Sequence, residues 1–263
     1  MKKKLETLLL ESQGAIGSLS LNRPAKLNAL NMALMKEMVE AANWFDAQTD
    51  VRVVIVRGNG RAFSGGADLK DAMSAPEASA DWVQRREKGQ LGFRMIEAIE
   101  RMRAITIAEV HGYAIGGALL LMLACDLRMV AEGTVFSIPE LDLGIPLAWG
   151  GIPRLVREIG PAMTKELVMT CRPFGPKEAK ELGLLNRVVA ADKLAGECAA
   201  LAEELAAKPS VPLLITKEHV NAVAGGMGAA SASFADGDLL LSVLSDPDSI
   251  KAAQAYYNER MGK

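Results

Sequence analysis

Hydrophobic and polar positions divide the chain into a first part that alternates strand and helix patterns and a second part that is almost wholly helical. Leu5 to Leu10 and Ala15 to Leu21 predict a strand pair around Ser12-Gln13-Gly14. Asn31 can cap a helix from about Met32 to Ala47, where Leu34, Met38, Ala41 and Phe45 recur at the helical period. Val53 to Val56 is a continuous apolar, β-branched run, the pattern of a strand covered on both faces. A glycine-rich stretch follows, and then Asp71 to Asp81, rich in Ala and Ser, reads as a mobile loop. Trp82 to Met102 predicts a long helix and Thr106 to Val110 a second buried strand. His111 to Gly117 leads into an apolar helix ending near Cys125, followed by a strand over Leu127 to Val130 and a turn at Phe136 to Glu140.

From Gly151 onward helical patterns dominate, punctuated by Pro153, Pro161, Pro173 and Pro176, the last at a helix N-terminus. Asp192 to Lys208 is an Ala-, Leu- and Glu-rich helix, and Leu213 to Val223, Ala229 to Leu244 and Asp246 to Met261 predict three more. The fold class read from this order is α/β, with a core over residues 1–195 and a helical C-terminal region over 196–263.

Composition narrows the classes of partner. The 263 residues suffice for a sizeable core, and 50% apolar with 24% charged residues describes a globular chain. A net charge of -2 lacks the basic excess of a nucleic-acid binder. Cys125, Cys171 and Cys198 are few, odd in number and far apart, which fits a reducing compartment. His111 and His219 stand in no zinc-type spacing, so no metal is expected. The apolar stretch of the N-terminus is too short for a signal peptide, and the uncharged run Gly112 to Cys125 is too short to span a bilayer. A soluble, cytoplasmic protein without a membrane partner is expected.

Candidate chemistry lies in three places. Phe63-Ser64-Gly65-Gly66-Ala67-Asp68-Leu69 and Gly112-Tyr113-Ala114-Ile115-Gly116-Gly117-Ala118 are strand-to-helix turns. Helix N-termini present free N–H groups, and one N–H from each turn aimed at one point would form an oxyanion hole. Neither turn fits a nucleotide-phosphate loop. Glu140 sits between prolines in an apolar segment, where a carboxylate would hold its proton more tightly and could move it. Taken singly, each feature also has a structural reading: glycine pairs serve helix–strand packing, and a glutamate caps a helix or faces water.

Read in order, Leu21-Asn22-Arg23-Pro24-Ala25-Lys26-Leu27-Asn28-Ala29-Leu30, the two glycine turns, Cys125-Asp126-Leu127-Arg128, Pro139-Glu140-Leu141-Asp142-Leu143-Gly144, Gly150-Gly151 and Ala179 to Val189 resemble the enoyl-CoA hydratase/isomerase (crotonase) superfamily from about residue 5 to the C-terminus. The resemblance implies a superhelix of repeated ββα units, with C-terminal helices that build homotrimers or hexamers. It implies an acyl-CoA substrate and no cofactor beyond the coenzyme A that the substrate carries. By motif position, Gly65 and Gly117 would hold the thioester oxygen. Asn28, Ala29, Leu30, Gly66, Ala67 and Asp68 would lie along the CoA moiety, with Lys26 as a phosphate or ribose contact, and Trp149 would stand near the acyl pocket. Tyr256 and Tyr257 would lie near the CoA of a neighbouring subunit.

One position departs from the hydratase pattern. Hydratases resembling this chain carry two glutamates; the second matches Glu140, and the first falls at Leu120. A leucine neither activates water nor donates a proton. The one-glutamate branches are Δ3,Δ2-enoyl-CoA isomerases and hydroxycinnamoyl-CoA hydratase-lyases, and the extra acid of dienoyl-CoA isomerases falls at Ala148. Asp142 and Glu109 are the carboxylates that could substitute at the site. Isomerisation with Glu140 as sole acid–base residue is the leading expectation. The alternatives are a hydratase using another carboxylate, a hydratase-lyase or thioester hydrolase for a bulky acyl group shaped by Met122 and Trp149, and a non-catalytic acyl-CoA binding protein.

Overall fold

A computed structural model describes residues 1–72, 81–227, 233, 235–243 and 245–261. Most of the loop expected over Asp71 to Asp81 lies outside the described residues. The main sheet contains β1 (Lys2–Lys4), β2 (Leu8–Gln13), β3 (Ile16–Leu21), β4 (Val53–Gly58), β5 (Ile105–Val110), β7 (Leu127–Ala131) and β9 (Arg187–Val189), in that spatial order. The first three run antiparallel, and β3 through β9 run parallel, with Val53 opposite Ile105 and Ile107 opposite Leu127. Strand β1 escaped the hydrophobic pattern because it is three lysines; it is an edge strand, where lysine discourages pairing with another chain.

Both faces of the parallel strands are covered, which explains their continuous apolar runs. On one face, α1 (Met32–Asp46), α3 (Trp82–Glu100) and α4 (Gly117–Ala124) close the larger core around Phe45, Val54, Val56, Met95 and Leu121. On the other, α7 (Leu194–Ala206) packs Leu194, Cys198 and Leu201 on Val53, Ile55, Ile105 and Ile107. The division expected at residue 195 therefore cuts into a helix of the core, and the chain leaves the sheet only after α7. Caps anticipate the helix starts: Asn31 accepts the Leu34 N–H at 3.0 Å, and Asp81 and Gln84 form a capping box at the head of α3.

A second, smaller layer places the site. Strands β6 (Tyr113–Ile115) and β8 (Val135–Ser137) pair in parallel. Bridges Leu30–Ala67, Ser64–Ala114 and Phe136–Phe174 continue the layer on both sides. Each crossing thus runs sheet strand, short strand, helix: β5-β6-α4, then β7-β8-α5 (Gly151–Thr170). This is the repeated ββα unit expected from the resemblance. Helix α5 is kinked at Gly160-Pro161, where Gly160 is non-helical.

After the short α6 (Pro176–Glu181) and α7, helix α8 (Ser210–Met227) buries only Lys217 among its described residues. The Lys217 Nζ donates to the Ala104 carbonyl at 2.8 Å and to Asp126 Oδ2 at 2.7 Å. Helix α9 (Asp236–Val243) packs on α3, and α10 (Pro247–Met261) brings Ser249 against Gly144. Among the described residues no helix is long and apolar enough to cross a membrane.

Candidate active site

The first glycine turn is held by Asn28. Its Nδ2 donates to the carbonyls of Asn59 and Ala62 at 2.9 Å and of Phe63 at 3.1 Å, while its Oδ1 accepts the Arg23 N–H. Asn28 is fully buried and engaged in this way, so it shapes the turn and does not face the cavity. The Gly65 N–H donates to the Leu27 carbonyl at 2.8 Å, that of Gly66 to Ser64 Oγ at 3.2 Å and that of Asp68 to the Leu30 carbonyl at 3.1 Å. Gly65 is therefore not the free donor expected from the motif. That donor is Ala67, whose N–H has no acceptor among the described residues. The cause is the parallel bridge between Leu30 and Ala67: Leu30 bonds to the residues on either side of Ala67, which turns the Ala67 amide to the opposite side.

The second turn supplies Gly117, the first residue of α4, with an N–H left over from the helical ladder. Gly116 before it has φ 51°, a left-handed conformation that glycine adopts freely, and a Cβ there would fall on Glu140 Oε1. The Gly116 N–H donates to the Ser137 carbonyl at 2.8 Å, which ties the turn to the end of β8. Pro139 and Glu140 follow in a turn closed by the Ile145 N–H on the Glu140 carbonyl at 3.0 Å. Glu140 Oε2 is buried and has no hydrogen-bond partner among the described residues. Burial pushes this carboxyl up to about 7.

These groups line one cavity of about 500 Å³. It brings together the predicted Leu30, Gly65, Gly66, Ala67, Asp68, Gly117, Glu140 and Trp149. A smaller cleft of about 320 Å³ lies beside it, lined by Arg23, Lys26, Asn31, Asp68, Lys70 and Asp71, and shares its two aspartates. Lys26 thus faces the cleft. Ala29 lines neither space; its carbonyl accepts from Arg23 Nη1. Tyr256 lines the cavity and Tyr257 does not. Sequence reasoning missed Lys70, Arg85 and Lys88 around these openings; basic residues near the start of a helix carry no signal of their own.

Leu120 does not reach the cavity. It is buried in the core, its Cδ1 3.0 Å from where a Cβ on Gly151 would stand. The indole of Trp149 instead covers this side, lying on Gly117 and on Gly92 of α3; a Cβ on either glycine would fall within the ring. Met122 and Ala148 are likewise buried outside the cavity. The two substitute carboxylates are elsewhere as well. Asp142 is exposed and lies beside Cys171. Glu109 is buried on the α7 side of the sheet, 3.9 Å from Arg57. Among the other carboxylates on the lining, Asp68 is ion-paired with Arg23 at 2.9 Å and Asp71 accepts the Met32 N–H at 2.7 Å. The arrangement combines two backbone donors with one proton-holding carboxyl in an apolar chamber, which suits a reaction that builds negative charge on a carbonyl oxygen. Among the described residues no group of three or more His, Cys, Asp or Glu side chains could hold a metal ion.

Comparison with known proteins shows the family and the fold. A family model described as Enoyl-CoA hydratase/isomerase matches residues 11–262. A probable enoyl-CoA hydratase of Rhizobium meliloti is 38% identical over 82% of this chain and 81% of its own. A peroxisomal Delta(3,5)-Delta(2,4)-dienoyl-CoA isomerase of Arabidopsis thaliana is 37% identical over 71% of this chain and 69% of its own. The solved structure of an enoyl-CoA hydratase/isomerase from Xanthobacter autotrophicus Py2 superposes with a TM-score of 0.85 at 28% identity, covering 98% of this chain and 99% of that one.

Proposed function

The chain belongs to the enoyl-CoA hydratase/isomerase family, and from that premise we propose that it moves the double bond of a 3-enoyl-CoA to the 2-position with Glu140 as its single acid–base residue. The observation that carries this reading is the isolation of Glu140: its carboxyl has a buried, unpartnered oxygen in the cavity, and the position of a second acid is a buried leucine, Leu120.

In this reading the thioester oxygen accepts from the Ala67 and Gly117 N–H groups. Ionised Glu140 removes a proton from the α-carbon, and the electron pair spreads through the former double bond and onto that oxygen. The two donors face charge that develops only in the transition state, where each is worth roughly 100- to 1,000-fold in rate. Protonated Glu140 then returns the proton to the γ-carbon. No water enters or leaves, so atoms and charge balance within substrate and Glu140. A carboxyl that titrates at about 7 is a stronger base than an ordinary glutamate and is still about half ionised at neutral pH.

The basic cleft with Lys26, Arg23 and Lys70 suits the phosphates of coenzyme A, and the adjoining apolar lining of Leu143, Ile145, Leu240 and Ile250 suits the acyl chain. The reading needs no cofactor beyond the CoA of the substrate. Exposed Val211, Ile215, Val220, Val223 and Met227 on α8 support a homo-oligomer, a trimer or hexamer, and three free buried cysteines support a cytoplasmic setting.

The names of several relatives favour a second reading, hydration of a 2-enoyl-CoA. A paired assay in ¹⁸O-water separates the two. Conversion of 3-enoyl- to 2-enoyl-CoA without gain of water mass, lost in Glu140→Gln, is the expected result. Efficient ¹⁸O incorporation into a 3-hydroxyacyl-CoA would replace isomerisation with hydration.

A further inference from the structure

We propose that Trp149 determines which acyl groups the site accepts: by closing the Gly117 side of the reaction centre, it restricts the enzyme to thioesters that are unbranched next to the carbonyl. The inference rests on the reading above, in which the thioester oxygen is held at the Gly117 N–H.

The indole is wedged between two helices. Its Cε2, Cδ2 and Nε1 atoms lie where a Cβ on Gly92 would be, and its Cζ3, Cε3 and Cη2 atoms where a Cβ on Gly117 would be. It therefore touches the backbone of the residue whose N–H points at the substrate. The acyl carbon next to the thioester is one bond from that carbonyl, so a substituent on this side meets the ring. Trp149 is also on the cavity wall, which Leu120 is not.

The backbone beneath the ring is held in an uncommon conformation. Trp149 has φ 58°, a left-handed value that a bulky residue adopts only where its surroundings enforce it. Three contacts supply the enforcement. Asp236 Oδ2 on α9 accepts the Gly150 N–H at 2.7 Å. Arg154 Nη1 donates to the Gly150 carbonyl at 3.0 Å and to the Trp149 carbonyl at 3.5 Å. Gly92 interrupts the side chains of α3 at the one place where the indole needs room. A side chain fixed from α3, α5 and α9 together cannot swing aside for a wider ligand.

The test is calorimetric binding of unreactive saturated thioesters, butanoyl-CoA against 2-methylbutanoyl-CoA, to the full chain and to Trp149→Ala and Trp149→Phe. We expect the unmodified protein to prefer butanoyl-CoA by about tenfold or more, the size of effect one extra methyl has in a closed pocket. Trp149→Ala should bring the ratio close to one, and Trp149→Phe, which keeps the fold if the smaller residue does not, should fall between. Equal binding of both thioesters by the unmodified protein, or an unchanged ratio in folded Trp149→Phe and Trp149→Ala, would overturn the inference while leaving acyl-CoA binding intact. Failure of the unmodified protein to bind either thioester would overturn the acyl-CoA reading itself.

Discussion

Glu140 and Glu158 are both glutamates largely withdrawn from solvent, yet their environments drive them in opposite directions. Glu140 stands at the cavity with no cation beside it among the described residues, and burial pushes its carboxyl up to about 7. Glu158 on α5 is also desolvated, but Arg128 at 2.9 Å and Arg157 at 3.1 Å outweigh that and hold it below the usual carboxylate range. The same arginine cluster continues through Glu100 to Arg154, which supports the backbone under Trp149. Burial alone does not mark a carboxylate for chemistry. Burial without a partner does, because only then is the carboxylate a strong enough base and its oxygen left free to take up and pass on a proton.

Removing the lone carboxylate breaks the comparison most completely. Glu140→Gln should lower isomerisation by about 100- to 10,000-fold, read in the 3-enoyl-CoA assay. The same variant should be more stable than the unmodified protein at pH 8. The folded state keeps the Glu140 proton up to about 7, whereas the unfolded chain releases it near 4.5. Stability present below 4.5 is therefore lost as pH rises to 7, by at most ~3 kcal/mol. Parallel denaturation curves at pH 5 and pH 8 would show Glu140→Gln without that decline.

Breaking the paired cluster should cost stability in the opposite way. Arg154→Leu leaves Glu100 with Arg157 at 3.4 Å as its remaining partner and releases the Gly150 carbonyl. A loss of about 3 kcal/mol in urea denaturation is expected. Activity should fall with it, since the Trp149–Gly150 backbone loses a support.

A smaller effect sharpens the contrast through pH. If ionised Glu140 is the base, the limiting rate should fall tenfold per unit as pH drops below about 7, and the profile should flatten above it. A rate that ignores pH between 5 and 8 would assign the base elsewhere. The least effect belongs to a fully solvated charge. Lys26 is exposed at the cleft, and Lys26→Ala should raise KM by a few-fold, less than ~1 kcal/mol, with kcat unchanged.

Much of the fold and part of the site were legible along the chain. The β-branched run at Val53 to Val56, the Asn31 cap and the helical period behind it each matched an element, because such signals act over a few residues. Glu140 stood out because an acid in an apolar, proline-flanked stretch is chemically conspicuous. The misplacements share one cause. Whether Gly65 or Ala67 offers a free N–H depends on Leu27 and Leu30, from a different part of the chain. Asn28 looked like a ligand contact until three carbonyls from the next turn were found on its amide.

By itself, then, the sequence determined the alternation of strands and helices, the two glycine turns and Glu140 as the leading candidate acid. These follow from residue type and local periodicity, which need no knowledge of distant neighbours. Only the tertiary structure decided which backbone amide stays unbonded, that Glu140 is desolvated without a cation, and that Trp149 rests on Gly92 and Gly117. Hydrogen-bond satisfaction, burial and contact are properties of the space around a group, and that space is filled by segments remote along the chain.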